Sequence, residues 1–231
     1  MSKSLAIVVP VHDEAATPAG RLLALEPLRA RGAHVVVVDG GSADDTLAIA
    51  HAHADAALVA PRGRGAPMNA GAAACTAEVL LFLNADPTLP ADADRLVLEA
   101  LKGSSTWGRF DVRIDSRRPV FRCIETMINW RSRCSGIATG DQAIFVRRDT
   151  FTRVGGFPDI PLMEDIALSR ALRRIAPPLC LRQRATTSSR RWEKHGVWRT
   201  VFLMWRLRAA YFLGADPARL AVKYCYLPRP S

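Results

Sequence analysis

The chain has 231 residues, 49% of them apolar and 23% charged, with a formal net charge of +10. A chain of that size buries a sizeable core, its composition excludes disorder over most of its length, and no run reaches the roughly 18 uncharged apolar residues of a membrane span. The positive excess asks for an anionic partner such as nucleic acid, a membrane surface or a phosphorylated substrate. A general basic coat is argued against, because acidic residues hold their own up to about Asp115 while arginines crowd the second half.

Met1-Ser2-Lys3-Ser4 leads directly into a strand-like run, so no signal peptide is expected. Leu5 to Val9 reads as a strand ended by Pro10, and the leucine spacing after His12-Asp13-Glu14 predicts a helix to about Arg31, interrupted near Pro27 and closed by Gly32. Val35 to Val38 is a second buried strand, running into Asp39-Gly40-Gly41-Ser42, after which Ser42 or Asp44 can cap a helix through about Ala54. Ala56 to Ala60 is a short third strand, followed by the loop Arg62-Gly63-Arg64-Gly65 and a small-residue helix from Pro67 to Thr76. Val79 to Leu83 is an unbroken apolar run that delivers Asn84 and Asp86 before Pro87, as suits a strand buried on both faces.

Strand and helix alternating in this way predict a mostly parallel α/β sheet with helices on its faces. Right-handed crossovers bring the carboxyl ends of such strands to one rim, where ligands bind. His12 to Glu14, Asp39, the Arg62–Arg64 loop and Asp86 are therefore expected around a common crevice. Beyond it, the sequence predicts a helix over 91–101, a half-exposed alternating strand over 107–114, a helix over 122–134 and a strand over 143–146. An amphipathic helix opened by Glu164-Asp165, an edge strand over 179–187 and a long aromatic helix over 197–213 complete it. With no internal repeat or low-complexity linker, one domain is expected over 1–231. Cys75, Cys123, Cys134, Cys180 and Cys225 lack CxxC or zinc spacing and are expected as reduced thiols of a cytoplasmic protein.

Each motif has a bland reading beside its functional one. Asp39 suits an Asx turn or a carboxylate that accepts hydrogen bonds from a nucleotide. Neither a GxGxxG fingerprint nor a P-loop is present. A diphosphate held without a P-loop calls for a divalent cation, and Asp86 stands where its ligand would be needed, unless it only caps a turn. Glu164-Asp165 supplies either a general base or plain charge favoured by a helix N-terminus.

Taken together, Pro10-x-x-Asp13-Glu14, Asp39-Gly40-Gly41-Ser42-x-Asp44-x-Thr46, Arg62-Gly63-Arg64-Gly65 with Asn69-x-Gly71, Asn84-x-Asp86, Gly140-Asp141-Gln142, Gly155-Gly156-Phe157, Glu164-Asp165 and Arg191-Trp192 resemble family 2 glycosyltransferases of the GT-A fold. The resemblance covers about residues 4 to 195. Gly-Arg-Phe-Asp-Val-Arg at 108–113 is most similar to a small bacterial subfamily called selenodomain-associated transferases.

The resemblance implies a GT-A-like domain with a nucleotide-binding half (1–103), an acceptor and catalytic half (104–195) and a C-terminal helical segment (196–231). It implies transfer of a sugar from a nucleotide-diphosphate donor to an acceptor hydroxyl, with inversion, aided by Mg2+ or Mn2+. Pro10, Asp13 or Glu14, Asp39, Arg64 and Asn69 would hold the donor, and Asp86 would ligate the cation. Asp165 would be the base beside Glu164, and Asp141 and Gln142 would contact sugar or acceptor. Arg190, Arg191 and Trp192 would lie near the leaving diphosphate. Asn84 replaces the first aspartate of the family's Asp-x-Asp, leaving a hydrogen bond to ribose but only Asp86 as direct ligand. Ser189-Arg190-Arg191-Trp192 departs from the final motif of processive synthases, whose membrane spans are also lacking, so processive synthesis is not expected. His195 is a further candidate metal ligand, although a lone histidine is more often bland.

The 197–213 helix, with Arg199, Arg206 and Arg208 among large apolar residues, suits a core or homodimer contact, or an interfacial helix at a membrane serving a lipid-linked acceptor. Tryptophan with arginine also suits single-stranded nucleic acid, but the resemblance implies no nucleic-acid partner. Two rivals remain: a sugar nucleotidylyltransferase, which usually has a Gly-rich loop after its first strand, and a basic membrane-surface module without catalysis.

Overall fold

The computed structural model describes residues 4–14 and 18–224, with backbone alone at Pro18, Ala19 and Arg191. In chain order its elements are β1 (Leu5–Val11), α1 (Pro18–Leu23), α2 (Glu26–Ala30), β2 (His34–Asp39), α3 (Thr46–His53), β3 (Ala56–Val59), α4 (Gly65–Ala73), β4 (Val79–Phe82) and α5 (Ala93–Ala100). They continue with β5 (Trp107–Asp115), α6 (Pro119–Ser135), a 3-10 turn (Gly140–Gln142), β6 (Ile144–Arg147), α7 (Arg148–Arg153), α8 (Glu164–Arg173), β7 (Leu179–Ser188), α9 (Arg190–His195), α10 (Val197–Phe212) and α11 (Pro217–Lys223).

One sheet joins the strands in the order β3-β2-β1-β4-β6-β5-β7. β1 pairs parallel with both β2 and β4, and β7 pairs parallel with β5, while β6 runs antiparallel to both of its neighbours. A mostly parallel α/β sheet is thus observed, and β6 is its reversed strand. The apolar runs are buried on both faces. Ile7, Val35, Val37, Val79 and Leu81 join the helices α1, α2 and α5 in one core layer. Ala6, Val8, Val36, Val38, Leu80 and Phe82 join α4, α7 and α8 in the other. Alternate residues of each strand serve opposite faces, which explains why these strands carry no polar period.

Gly71 shows how tightly the second layer closes. A Cβ there would clash with Val8 and lie 2.9 Å from Val38 Cγ2, so α4 needs a glycine to approach the sheet.

Several elements differ from the sequence expectation. Pro10 does not end β1, because the partnered backbone continues to Val11. The first helix is split into α1 and α2, as Pro27 suggested. The larger correction concerns β5, expected to be half-exposed. Trp107 through Val112 are buried, because β5 lies between β6 and β7 with α6 packed beside it. Its polar residues are accommodated by pairing: Arg109 is ion-paired with Asp111, Arg133 reaches Asp111 at 2.6 Å, and Asn129 bonds the backbone of Val112 on both its N–H and its carbonyl. Alternation here reflects a buried ion-pair layer rather than a wet face.

α10 buries only Thr200 and Leu207 along its length, while Trp198, Phe202, Trp205 and Phe212 stay exposed. It is not a helix packed across the sheet. Cys75, Cys123, Cys134 and Cys180 are free thiols, and Cys225 lies outside the described residues. Among the described residues no helix is long and apolar enough to cross a membrane.

Candidate active site

The carboxyl ends of β1, β2 and β4, the amino end of β6 and the carboxyl ends of β5 and β7 meet on one rim. A cleft of about 270 Å³ opens there, lined by Pro10, His12, Glu14, Gly40, Arg62, Arg64, Asn84 and Glu164 among others. The crevice expected from topology is present, but its residues divide into two kinds.

The first kind is occupied in holding loops. Asp39 is buried and accepts from the N–H groups of Gly41 (3.1 Å) and Ser42 (2.9 Å) and from the Ser42 hydroxyl. Ser42 Oγ in turn accepts from the Asp13 N–H at 2.9 Å, and Asp13 Oδ1 accepts from the Ala43 N–H at 2.9 Å. These bonds stitch the loop after β1 to the loop after β2, and they hold Asp13 at φ +50°, a region that non-glycine residues rarely occupy. Asn69 is likewise engaged. Its amide donates to the Phe157 carbonyl at 2.8 Å and accepts from the Phe157 N–H at 2.9 Å, tying α4 to the loop before α8. The resemblance placed Asn69 in the donor pocket, whereas here both ends of its amide hold the fold.

Gln142 is also fully buried: its Oε1 accepts from the Thr139 N–H at 3.2 Å as half of a capping box, while its Nε2 is left without a partner. Trp192 packs edge-on to Phe121, with ring centres 6.4 Å apart, alongside Ile114 and Ile124. Its ring therefore anchors α9 to α6. His195 ends α9 with an exposed side chain and forms no ion pair with Asp86. The Arg191 side chain lies outside the described residues.

The second kind faces the cleft. Asn84 sits against Gly140, where a Cβ would strike its amide and lie 3.0 Å from its Cγ. That approach needs glycine and sets the 3-10 turn beside the end of β4. A bridge between Thr88 and Thr186 pulls the loop after β4 onto β7, bringing Thr187 Oγ1 to 3.4 Å from Asp86. Asp86 pairs with Arg21 at 2.9 Å and lies 3.7 Å from Arg190. Arg21 also donates to the Ala85 carbonyl and lies 3.9 Å from Glu14. Burial pushes the Glu14 carboxyl up; Arg21 opposes that shift and Asp86 adds to it.

Arg21 was missed by sequence reasoning. It lies 65 residues from Asp86, on a helix whose pattern signals only burial, so no local spacing connects the two.

Across the cleft, α8 begins at Met163, held at φ +71°. Glu164 is buried, with one oxygen 2.8 Å from Arg64 Nε and the other, Oε2, without a partner. Burial outweighs the Arg64 attraction, and with Asp165 adjacent the Glu164 pKa is pushed up to about 7. Asp165 accepts from the Gly140 N–H at 2.9 Å and from the Ile166 N–H at 2.7 Å. Asp141 has an exposed side chain amid dense surrounding protein, and desolvation followed by Asp165 and Asp86 raises it. Asp165 and Asp86 both bear on Asp141, so the site concentrates negative charge that ligand cations or arginines can offset.

Whether this site suits a divalent cation can be judged from its donors. Among the described residues no three His, Cys, Asp or Glu side chains converge. Asp86 is a single half-exposed carboxylate, currently neutralised by arginines. That donor set fits Mg2+ or Mn2+ only with phosphate oxygens completing the shell, the usual way such ions are held at nucleotide sites.

A family model described as "Glycosyl transferase family 2" matches residues 6–154. An uncharacterized glycosyltransferase of Mycobacterium bovis is 34% identical over 120 residues, which cover 51% of this chain and 50% of the relative. The chain thus spans about half the length of the curated relatives it matches. Among solved structures, the mannosyltransferase PcManGT of Pyrobaculum calidifontis, in complex with GDP-Man and Mn2+, superposes with a TM-score of 0.63 at 20% identity, covering 96% of this chain and 69% of that one. S. aureus TarS residues 1–349 in complex with UDP gives a TM-score of 0.64 at 19% identity, covering 80% and 61%. These likenesses establish the GT-A fold.

Proposed function

Since the chain belongs to glycosyl transferase family 2, we propose that it moves a sugar from a nucleoside-diphosphate donor to an acceptor hydroxyl, with inversion and with help from a divalent cation. The observation that carries this reading is that Asp86 and Asp165 flank one rim, with Asn84 against Gly140 and the Gly140 N–H donating to Asp165, while their neighbours Ala85 and Glu164 line the cleft. Neither carboxylate is enclosed as a purely structural one would be. The binding of GDP-Man with Mn2+ in PcManGT, and of UDP in TarS, is in keeping with such a donor.

In this reading the nucleotide occupies the side of the cleft formed by Pro10, Glu14, Gly40 and Arg62 to Arg64. Asp86 would hold the Mg2+ or Mn2+, and the ion would offset the roughly two negative charges of the leaving group. Arg190, and Arg21 once released, are placed to approach the same phosphates. The acceptor hydroxyl loses its proton to Asp165 as its oxygen forms a bond to the anomeric carbon. The bond from that carbon to the phosphate oxygen breaks, and its electron pair leaves with the nucleoside diphosphate. Glu164, held by Arg64, positions the start of α8 rather than taking the proton. His195 stays outside the ligand set. We read 1–231 as one catalytic domain.

The exposed Trp198, Phe202 and Trp205 of α10, with Met127 and Trp130 of α6 and the nearby Arg199 and Arg206, favour contact with an anionic membrane surface through this end. Vesicle sedimentation should show binding that Trp198→Ala and Trp205→Ala weaken. A homodimer seen by sedimentation velocity would replace that contact.

Titration of nucleoside diphosphates and nucleotide sugars with and without Mn2+ tests the central reading. At least one should bind with a clear dependence on the cation. Absence of binding across the common bases would sink the donor assignment, and pyrophosphate release from a nucleoside triphosphate and a sugar phosphate would favour a nucleotidylyltransferase.

A further inference from the structure

Beside Asp165, on the wall of the site away from the nucleotide, two arginines from distant parts of the chain come together. Arg131 lies on α6 and Arg208 on α10. The first turn of α8 brings Asp165 to them: Met163 and Ile166 share an apolar cluster with Leu207, the residue before Arg208, and with Ile137, just past the end of α6. Arg131 and Arg208 each interact electrostatically with the other and with Asp165, and Arg208 also with Asp141.

Neither guanidinium is fully satisfied by the protein. Nε and Nη2 of Arg131 and Nε of Arg208 are buried without a hydrogen-bond partner. Asp165 directs its oxygens to the backbone of Gly140 and Ile166 instead. Nearby Arg109 also has a buried Nε without a partner, but Asp111 answers its charge through Nη1. Desolvation, compounded by each other's charge, pulls Arg131 down to about 10, and desolvation lowers Arg208 as well. A guanidinium stays protonated under all ordinary conditions, so the direction of these shifts marks an electrostatic cost that Asp165 and, for Arg208, Asp141 offset only in part. Buried polar groups are nearly always paired, and an unpaired buried cation is expensive. Two such groups at one site mark a place completed by something else.

We propose that Arg131 and Arg208 form a phosphate-binding subsite for the acceptor, so that the hydroxyl presented to Asp165 belongs to a phosphate-bearing molecule. Three unpartnered N–H groups on two helices suit the three oxygens of a phosphate monoester better than the two of a carboxylate, and its greater charge answers both cations. The subsite rests on the glycosyltransferase reading for its purpose but not for its existence. The phosphate source is either a soluble monoester or a lipid phosphate.

The test is calorimetric titration of the full chain with phenyl phosphate and with benzoate, alone and with Mn2+ and the nucleoside diphosphate that binds best. Sedimentation with phosphatidylcholine vesicles, with and without phosphatidic acid, runs in parallel. Phenyl phosphate is expected to bind at least roughly tenfold more tightly than benzoate, and Arg131→Gln or Arg208→Gln to weaken it by roughly tenfold or more. Nucleotide affinity should stay within about twofold, since these arginines flank the acceptor side. A lipid source would appear instead as sedimentation that requires phosphatidic acid and is lost in Arg131→Gln but kept in Arg95→Gln, an exposed arginine of α5.

Equal affinity for benzoate, unchanged phosphate binding in both variants, or nucleotide affinity falling as far as phosphate affinity would each overturn the subsite. Phosphate binding that survives in a chain with no nucleotide affinity would overturn the glycosyltransferase reading alone. Should a glutamine variant fail to fold, Arg208→Lys and the rise in melting temperature of the wild-type chain with added phenyl phosphate decide the matter. No rise in the wild type counts against the proposal.

Discussion

The two walls of the cleft are built on opposite principles. On the nucleotide side, most polar groups nearest the ends of β1 and β2 are already satisfied within the protein: Asp39 by Gly41 and Ser42, Asp13 by Ala43, Asn69 by Phe157, with His12 Nδ1 the buried exception. On the acceptor side, Glu164 Oε2, Arg131 Nε and Nη2, and Arg208 Nε are buried with nothing to bond. A wall of satisfied groups is rigid before any ligand arrives and offers shape, backbone and a few free side chains. A wall of unsatisfied groups stores a cost that a complementary ligand relieves. Asp86 stands between them, paired with arginines that a cation and diphosphate would replace.

The contrast can be broken most decisively at Asp165. Asp165→Asn keeps an acceptor for one of the Gly140 and Ile166 N–H groups and loses the other, so the fold should hold at a modest cost in melting temperature and nucleotide affinity should be kept, while turnover falls by about 10²–10⁴-fold, the usual worth of a general base. Turnover equal to wild type would remove the base role. At Asp86, Asp86→Ala should abolish the Mn2+-dependent part of nucleotide binding, read by calorimetry with and without the ion. Undiminished binding would leave Asp86 as a partner of Arg21 and nothing more.

Two smaller effects probe the satisfied wall. Gly71→Ala forces a methyl group into Val8 and Val38 and should cost about 1–3 kcal/mol. That corresponds to a melting temperature lower by roughly 2–4 °C per kcal/mol in a chain of this length. Asn69→Ala removes both bonds to Phe157 and should cost about 1–2 kcal/mol with little change in nucleotide affinity. The reverse pattern, weak binding at unchanged stability, would return Asn69 to the donor pocket.

The smallest effect lies at Glu164. In the folded chain this carboxyl holds its proton up to about pH 7, against an ordinary 4.5. The folded state therefore binds more protons between those values, and the associated stability, complete below the lower one, is lost as pH rises through about 7. Glu164→Gln should show a flatter melting temperature between about pH 5 and about pH 8, where wild type declines. Parallel curves would show that Arg64 keeps Glu164 ionised throughout.

Much of this architecture was legible in the chain itself. Runs such as Val35 to Val38 and Val79 to Leu83 leave no alternative to strands buried on both faces, and their alternation with helices dictates a parallel sheet and the rim where ligands sit. The sequence also put Asp86 and Asp165 forward as candidates, because a carboxylate at a strand end or a helix start is placed by local structure alone. Other positions read differently from their local pattern. The alternation of β5 resembled a half-wet strand, yet its polar residues are buried in an ion-pair layer with α6. Asn69 and Trp192 sit in motifs that resemble ligand contacts, yet in the fold their side chains tie a loop and a helix in place.

What local pattern determines is secondary structure, and with it the end of each strand where a side chain emerges. Tertiary packing decided which of those side chains remain available, because availability depends on partners brought from far along the chain. Arg21 reaches Asp86 across 65 residues, and Arg64 reaches Glu164 across 100. Arg131 and Arg208 meet Asp165 only after α6, α8 and α10 have packed around a shared apolar cluster. Whether a buried charge is answered by its neighbours or left for a ligand is a property of that packing, and no spacing in the sequence encodes it.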